Sequence, residues 1–404
     1  MNKEKMRIAQ INTCSYGSTG GIAKKIHAEL SEQGHESLFA YGFGPDVNHK
    51  SVKISNKVSG LVHKVISEFI GLHGYASVIS TIKLVKKLKK FKPDIIHLHN
   101  LHGGYINLKI LFDYIKKENI KTVITLHDCW LFTGKCYHYY EARCDKYLHN
   151  CGNCPQLSMY PKSKFFDFTT KMLNDKKNLF KGIKNLHIVT VSQWLKEQAQ
   201  ATFLGRFPIS VVSNGVNDVF RVTNSTEQTE VTDKIKGKFV ILSVASVWDE
   251  HKGMKDIEDL SLRLADDEVI LVVGKITNKK PLPDNIITID RTENIEKLVE
   301  IYNAADVYVS MSTEETFGLT IAEALCCGVP AIVYNATACR EMVENGKNGY
   351  VAQPHNIEQV YEYIQNIKAD SFTCERMSVF FKEKYSGKKM IEGYFNVYAN
   401  LYNI

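Results

Sequence analysis

The chain has 404 residues, 44% of them hydrophobic and 24% charged, which is enough for two α/β domains and excludes a low-complexity or fibrous protein. Its charge is unevenly distributed: residues 1–200 carry 30 basic against 15 acidic side chains, whereas residues 201–404 carry 21 against 29. The first half is therefore expected to face an anionic partner, unless its lysines only form a solvated surface.

The sequence contains no segment that predicts insertion into a membrane or secretion. No apolar run approaches the roughly 18–20 residues that a helix needs to cross a bilayer. Residues 1–10 are charged and lead directly into an apolar run, unlike a signal peptide. We therefore expect a cytoplasmic protein, whose ten cysteines would be kept reduced.

Short apolar runs alternate with amphipathic helical patterns along the whole chain. Strands are predicted at residues 7–12, 94–99, 122–126, 187–191, 239–245, 269–274, 286–290, 307–310 and 330–333. Helices are predicted at residues 22–33, 108–117, 295–304 and 357–367. Most strands are continuous runs of valine, isoleucine and leucine, so we expect them to be buried on both faces of parallel sheets. The pattern predicts an α/β protein with two Rossmann-like, doubly wound domains.

Three parts of the chain are predicted from these patterns and from the turns between them. The first Rossmann-like domain covers residues 1–205 and contains a cysteine-rich insert at 129–154. The second covers residues 206–385. The last segment, 386–404, is expected to be a helix that crosses back and packs on the first domain, because it has apolar side chains at helical spacing. These are Met390, Tyr394, Val397, Tyr398 and Leu401.

Residues 57–92 form a basic, amphipathic stretch. One helical face is apolar and lysines follow it: Leu61, Val62, Val65, Ile66, Phe69 and Ile70, then Lys83, Lys86, Lys87, Lys89, Lys90 and Lys92. This pattern favours peripheral contact with an anionic inner membrane, to which each well-placed lysine contributes roughly 1 kcal/mol. The alternative is an ordinary helix that covers the sheet with its apolar face.

Two positions in the first half lie where parallel sheets bind ligands. Gly20 and Gly21 follow the first predicted strand and open a helix, where glycine lets backbone amides approach a phosphate or sugar closely. His127 ends the predicted strand 122–126, at the edge where open α/β sheets place their ligands. An ordinary strand–helix turn and a structural histidine are the alternatives.

Four cysteines in the insert have a spacing that is compatible with a metal site. They are Cys136, Cys144, Cys151 and Cys154. The pair separated by two residues, with two further thiols upstream, matches the ligand count of a structural tetrahedral zinc site. Free reduced thiols and disulfides are the alternatives.

The strongest signal lies in the second half, where Glu315 precedes a predicted helix and Glu323 lies inside it. Glu323 would accept hydrogen bonds from vicinal ribose hydroxyls, and Glu315 would reach a transferred hexose. Between them, the amides of Phe317, Gly318 and Leu319 lie at the helix N-terminus. Unpaired donors and the positive end of the helix dipole coincide there, which suits a diphosphate. Two solvated glutamates on a capped helix are the alternative.

These motifs resemble the E-x7-E region of the large retaining GT-B family of glycosyltransferases, family 4. The resemblance covers essentially the whole chain. It includes Ile11, Asn12, Gly20 and Gly21, residues 94–99, 125–128 and 213–216, Lys252 and Gly253, residues 304–306, Glu341, Asn348 and Gly349. More narrowly, residues 97–103, 127–136 and 151–156 resemble the colanic-acid and capsule-building subgroup of bacteria.

The resemblance implies a GT-B fold with an acceptor domain first, a nucleotide-sugar-binding domain second, and the active site between them. It implies a retaining, metal-independent hexosyltransferase whose donor is a nucleotide-diphosphate sugar. The expected acceptor is lipid-linked or an oligosaccharide, in the synthesis of capsule, exopolysaccharide or O-antigen at the cytoplasmic face of the membrane. The leaving phosphate would help to deprotonate the acceptor. No cofactor beyond structural zinc is expected.

The resemblance also assigns roles to individual residues. Lys252 would neutralise the leaving diphosphate, a role in which a preorganised cation lowers the barrier. His127 would contact the donor sugar or the acceptor. Arg291 and Thr292 would recognise the nucleobase. One position departs from the family pattern, since Ser246 replaces a second phosphate-binding arginine. The side chains that would take its place are His251, Lys255 or Arg291.

Three other classes of protein would explain part of these features. A nucleic-acid-binding protein would need aromatic side chains interleaved with its lysines, which the sequence lacks. A nucleotide-sugar epimerase or a sugar phosphorylase would keep the fold and change the chemistry. A catalytically silent GT-B partner subunit is conceivable because of Ser246, and an assay of sugar transfer or nucleotide-sugar hydrolysis would distinguish it from an enzyme.

Overall fold

The computed structural model describes residues 5–48, 50–223, 230–248, 250–277, 280–292, 294–369 and 374–402. The chain divides into two compact units. One combines Met1–Ser213 with Ile391–Ile404, and the other is Asn214–Met390. Each unit contains a parallel sheet with helices between its strands, so the prediction of two Rossmann-like α/β domains is confirmed.

The first unit contains a seven-stranded parallel sheet with the order β3-β2-β1-β4-β5-β6-β7. Its strands are β1 (Arg7–Cys14), β2 (Glu36–Phe43), β3 (Ser51–Lys53), β4 (Ile95–Leu98), β5 (Lys121–Leu126), β6 (Leu186–Thr190) and β7 (Ile209–Val211). Ile8, Ile96 and Val123 are fully buried. Burial on both faces explains why the central strands are continuous apolar runs.

Helices connect these strands, as parallel strands require. They are α1 (Gly17–Glu32), α2 (Lys57–Val65), α3 (Val78–Phe91), α4 (Leu108–Lys117), α5 (Lys146–His149), α6 (Thr169–Phe180) and α7 (Gln193–Gln200). Asn107 caps α4 by accepting a hydrogen bond from the Ile110 amide, and Ser192 caps α7 in the same way through Leu195.

The second unit contains a six-stranded parallel sheet with the order β10-β9-β8-β11-β12-β13. Its strands are β8 (Phe239–Trp248), β9 (Glu268–Ile276), β10 (Ile286–Ile289), β11 (Val307–Ser310), β12 (Ala331–Tyr334) and β13 (Gly349–Ala352). Its helices are α8 (Glu230–Ile235), α9 (Met254–Ser261), α10 (Ile295–Asn303), α11 (Leu319–Cys326), α12 (Ile357–Ala369) and α13 (Cys374–Lys384).

The last helix, α14 (Gly387–Tyr402), carries the chain back into the first unit. Its five predicted core residues are all buried. The Tyr398 hydroxyl lies 2.6 Å from His97 Nδ1, and the Tyr394 hydroxyl lies 3.4 Å from Thr125 Oγ1. The prediction that the C-terminal helix packs on the first domain is therefore confirmed.

Some elements extend beyond the predictions. Helix α1 begins at Gly17, five residues before the predicted start at residue 22. Strand β2 was not predicted, because Glu36–Phe43 has alanine, glycine and aromatic residues instead of a valine and isoleucine run. Strand β2 nevertheless pairs in parallel with β1, and its residues Phe39 and Tyr41 are fully buried.

The amphipathic stretch near residue 60 is oriented opposite to an ordinary surface helix. In α2, His63 is fully buried, whereas Leu61 is 63% and Val62 is 51% exposed. A π-helical turn, Ile66–Ile70, continues α2, with Ser67 buried and Phe69 exposed. The apolar face therefore points to solvent and not to the sheet. In the described part of the chain, no helix is both long and apolar enough to cross a bilayer.

Candidate active site

The second unit brings Lys252 and Glu315 together at the switch point of its sheet. Strands β8 and β11 are neighbours, and the chain order runs away from them in opposite directions. Lys252 follows β8, Glu315 follows β11, and the Lys252 ammonium contacts Glu315 Oε1. Open α/β sheets bind their ligands at the carboxyl ends of the strands at such a point.

The backbone around both residues is held by local contacts. Gly253 has φ +76°, and a Cβ there would lie 2.3 Å from the Met311 carbonyl oxygen, so only glycine fits. The Glu315 amide donates to Thr337 Oγ1 at 3.0 Å, and its carbonyl accepts from the Ala338 amide at 3.1 Å. The loop after β11 is thus fixed, while the side chains of Lys252 and Glu315 keep 32% and 21% of their surface exposed.

Helix α11 starts beside this pair. Gly318 is its N-cap with φ +90°, and the first turn contains no acidic side chain. Phe317 is buried, with its ring edge-on to Tyr385 at 5.5 Å. The amides of the first turn and the helix dipole therefore present a positive end that an anionic group can approach without meeting a carboxylate of that turn.

Glu323 lies inside α11 and has an unusual environment for a carboxyl group. The Tyr302 hydroxyl donates to Glu323 Oε2 at 3.0 Å. Burial raises the pKa of Glu323 to about 7, and the hydrogen bond from Tyr302 offsets only part of this effect. Near neutral pH the carboxyl group therefore titrates, and a ligand that donates hydrogen bonds to the carboxylate would favour its ionised form.

The remaining predicted residues of this unit lie at several places. Arg291 is exposed and Thr292 half-buried in the segment after β10, where Thr292 Oγ1 accepts from the Asn294 amide at 3.1 Å. Ser246 is exposed on β8. His251 Nδ1 lies 3.2 Å from the buried Glu314 carboxylate, next to the Lys252 position.

Lys255 is directed differently. Its side chain is 81% exposed and pairs with Asp259 at 2.6 Å on its own helix. Among the candidate replacements for the missing arginine, His251 adjoins Lys252 in the sequence and contacts Glu314, whereas Lys255 pairs on its own helix.

In the first unit, the switch point lies between β1 and β4. Gly20 sits in the first turns of α1, and a Cβ on it would lie 2.8 Å from the Cys14 carbonyl oxygen. Gly21 is exposed, and a Cβ on it would meet no described atom within 4 Å. Packing therefore requires glycine at position 20. At position 21 a side chain would meet open space.

A group of histidines lies at the carboxyl ends of β4 and β5. His127 Nε2 is 3.1 Å from His99 Nδ1, and His99 Nε2 is 3.2 Å from the Gln10 side-chain amide. Burial lowers the pKa of His127 to about 4 and that of His99 well below its ordinary value. Both rings are thus neutral at pH 7, so His127 acts as a hydrogen-bonding group and not as a cation.

The residue after His127 forms a second pair. Asp128 Oδ2 lies 2.7 Å from His102 Nε2, and Asp128 Oδ1 accepts from the Trp130 amide at 2.9 Å. Burial alone would raise the pKa of Asp128, but the charge and hydrogen bond of His102 outweigh it and hold that pKa below its ordinary value. The segment that carries His127 is held by these two contacts of Asp128.

The four cysteines of the insert are brought together. Cys136, Cys144, Cys151 and Cys154 all line one cavity of about 20 Å³, and all four are free thiols. In the described part of the chain, no three potential metal ligands already stand in a metal-binding arrangement.

Comparison with known proteins assigns this architecture to a family. Glycosyltransferase Family 4 matches residues 22–155, in the unit that carries His127. Glycosyl transferases group 1 matches residues 224–383, in the unit that carries Lys252, Glu315 and Glu323.

The chain belongs to the family 4 glycosyltransferases.

Relatives of this glycosyltransferase include proteins of bacterial surface polysaccharide loci. It is 23% identical over 418 residues to the putative colanic acid biosynthesis glycosyl transferase WcaC of Escherichia coli K12, covering 98% of this chain and 100% of that protein. It is 25% identical over 339 residues to a 41.2 kDa protein in the cps region of Klebsiella pneumoniae, covering 78% and 82%. The resemblance to the colanic-acid and capsule subgroup is thus confirmed.

Solved structures show the same fold. Sucrose-phosphate synthase from Thermosynechococcus elongatus superposes with a TM-score of 0.72 at 15% identity, covering 99% of this chain and 100% of that one. Anabaena HepE in complex with UDP superposes with a TM-score of 0.69 at 14% identity, covering 98% and 100%. The prediction of a GT-B fold is confirmed.

The structure adds two residues to the candidate site that were not assigned from the sequence. Tyr302 forms a hydrogen bond with Glu323, and His99 forms one with His127. His99 lies at the end of a predicted strand, two residues after His97, so its position at the sheet edge was a usable signal. Tyr302 comes from α10 and carried no such signal, because its contact with α11 depends on how the two helices pack.

Proposed function

We propose that this glycosyltransferase moves a sugar from a nucleotide-diphosphate donor to a lipid-linked or oligosaccharide acceptor, with retention at the anomeric carbon, in bacterial capsule, exopolysaccharide or O-antigen synthesis. The observation that carries the proposal is the contact of Lys252 with Glu315 at the β8/β11 switch point, beside the N-terminus of α11. A cation, a helix N-terminus and a carboxylate are the groups that a diphosphate-linked sugar needs.

The proposed chemistry uses charge that the protein holds in place. As the bond between the anomeric carbon and the phosphate oxygen breaks, negative charge grows on the diphosphate. In the proposal, the Lys252 ammonium and the first-turn amides of α11 stabilise this charge, and no catalytic metal ion takes part. Glu315 would exchange its contact with Lys252 for hydroxyl groups of the transferred sugar.

Retention follows if the acceptor attacks from the face that the phosphate leaves. The acceptor oxygen forms its bond to the anomeric carbon, and the acceptor proton passes to the leaving phosphate oxygen. In this scheme the neutral His127 imidazole, held by His99, orients a hydroxyl of the donor sugar or of the acceptor. Gly20 and Gly21 would allow the α1 amides to approach the donor phosphate.

A nucleotide panel tests the proposal and the role of Glu323 together. Nucleotide sugars based on UDP, GDP and ADP are titrated by calorimetry; UDP is the first candidate, because the HepE neighbour was solved with UDP and with UDP-glucose. One base is expected to bind best, because in the proposal Glu323, Arg291 and Thr292 contact the same nucleotide. No binding by any of them would favour the silent partner subunit, and binding with epimerised product would favour the epimerase.

The affinity of the protein for the nucleotide sugar that binds is expected to depend on pH. Ribose hydroxyls donate to the Glu323 carboxylate, so binding requires a deprotonated group whose pKa in the free protein is about 7. The dissociation constant should rise about tenfold per pH unit below 7 and level off above it. Esterified nucleotide sugars do not titrate their diphosphate in this range.

Glu323→Gln should bind the donor weakly with a flat pH profile, whereas the control Glu344→Gln, an exposed side chain paired with Lys347, should behave like the parent. A parent profile that stays flat from pH 5.5 to 8 would contradict the role of Glu323.

We further propose that the enzyme works at the cytoplasmic face of the membrane. The exposed apolar face of α2 is extended by the segment after residue 158, since the Phe165 ring lies 5.8 Å from Phe69 and the Lys164 amide donates to the Glu68 carbonyl. Phe165 is 67% exposed. Lysines flank this surface, and apolar contacts with basic flanks suit an anionic bilayer.

Vesicle flotation tests this surface. The parent protein should float with phosphatidylglycerol vesicles at low salt, and Leu61→Ser with Phe165→Ser should weaken that binding about tenfold or more, because two large apolar side chains lose their burial in the bilayer. The control pair, Leu262→Ser with Phe380→Ser, removes equally exposed apolar side chains from the second unit. Equal losses for both pairs would contradict the assignment.

A further inference from the structure

Two of the four cysteines that line the cavity directly follow residues with a left-handed backbone. Arg143 and Asn153, the residues directly before Cys144 and Cys154, both have left-handed backbones, with φ +46° and +45°. Gly152 also has positive φ, +141°. All four cysteines line the same cavity.

Two buried lysines stand beside this cavity without carboxylate acceptors. Lys135 and Lys176 are 1% and 2% exposed. The hydrogen bonds that the described residues offer to their ammonium groups all end on backbone carbonyls. For Lys135 these belong to Gln156, Leu157 and Met159 at 2.7–3.0 Å, and for Lys176 to Trp130, Thr133 and Gly134 at 2.5–3.4 Å.

The acidic side chains near these lysines are cysteines and two aspartates. Cys136 and Cys154 face Lys135, together with Asp167. Cys136 and Cys151 face Lys176, together with Asp128. Thiolates bound to a metal ion in this cavity would therefore have basic side chains as neighbours.

We propose that Cys136, Cys144, Cys151 and Cys154 bind one structural zinc ion as thiolates. A divalent ion with four thiolates has a net charge of −2, and the buried Lys135 and Lys176 beside the cavity would partly balance it. Binding displaces one proton from each thiol to solvent and involves no oxidation. The four thiols line one cavity, and the ion would draw their sulfurs into a tetrahedral arrangement.

The zinc would stabilise the segment that follows the candidate catalytic histidine. The insert starts directly after His127 and Asp128, and Lys176 on α6 binds the Trp130 carbonyl at 2.5 Å. Zinc would thus tie the insert to α6 and hold the strand end that presents His127. In such a site, metal binding contributes folding energy to the segment that carries the ligands.

Metal analysis of the purified, reduced protein tests the proposal. We expect one zinc per chain, released by a mercurial thiol reagent with a matching loss of thermal stability. Cobalt added to the stripped protein should give the thiolate charge-transfer absorption of a tetrahedral site. Zinc well below one equivalent with four thiols reactive in the native state, or disulfides among these cysteines, would overturn the proposal.

Two variants separate zinc binding from a general folding defect. Lys176→Met keeps the side-chain volume and removes one balancing charge, so zinc affinity should fall about 10–100-fold in a competition with a chelator. Cys14→Ser, a free thiol outside the cluster, should keep the parent zinc content. Unchanged affinity in Lys176→Met would show that charge balance does not govern the site.

Discussion

Replacing Lys252 by alanine is expected to lower kcat about 10²–10³-fold with a much smaller effect on thermal stability. Loss of one preorganised group that faces developing charge typically costs this much. The ion pair with Glu315 is partly exposed, so its loss should cost the fold at most about 1 kcal/mol. The measurement is donor turnover at saturating nucleotide sugar, together with a melting curve.

Lys255→Ala is the matched control for this prediction. Lys255 lies three residues away, is exposed and pairs with Asp259 on its own helix, so its removal should leave kcat within twofold of the parent. Equal losses at both positions would indicate that general positive charge matters, and not the cation beside Glu315. Parent-like turnover in Lys252→Ala would remove Lys252 from the mechanism.

Replacing Glu315 by alanine is expected to lower kcat by about a hundredfold or more. The proposed role of Glu315 is to hold the transferred sugar at the reacting geometry, and misplacement by about 1 Å can cost that much. Because Glu315 also contacts Lys252, the two residues act on one reacting group. The double variant Lys252→Ala with Glu315→Ala should therefore lose less than the product of the two single losses.

Glu344→Ala serves as the control, since that carboxylate is exposed and pairs only with the neighbouring Lys347 among the described residues. It should leave kcat unchanged. Strictly multiplicative losses in the double variant would mean that Lys252 and Glu315 act independently, which their contact argues against.

The sequence predicted the parts of the site that depend on strand ends. Glu315, Lys252 and His127 each follow an apolar run, and the carboxyl ends of parallel strands share one edge. The sequence did not predict the contacts that depend on how helices and strands pack against each other. The bond of Tyr302 to Glu323 joins two helices, and no spacing in the sequence specifies how they pack.

Burial was also only partly predictable. The periodicity of α2 indicated an apolar face and a polar face but not which of them is inside, and the structure buries His63 while exposing Leu61. Lys135 and Lys176 resembled ordinary surface lysines. Their burial depends on carbonyl groups that only the folded insert directs towards them.

The account is tested most directly by the stereochemistry of one product. The purified chain is incubated with the nucleotide sugar that it binds and with polyprenyl-diphosphate-linked and free oligosaccharide acceptors, and the new linkage is assigned by NMR. The account predicts a glycoside with the anomeric configuration of the donor. A product of opposite configuration, or nucleotide release with no glycoside formed on any acceptor, would contradict it.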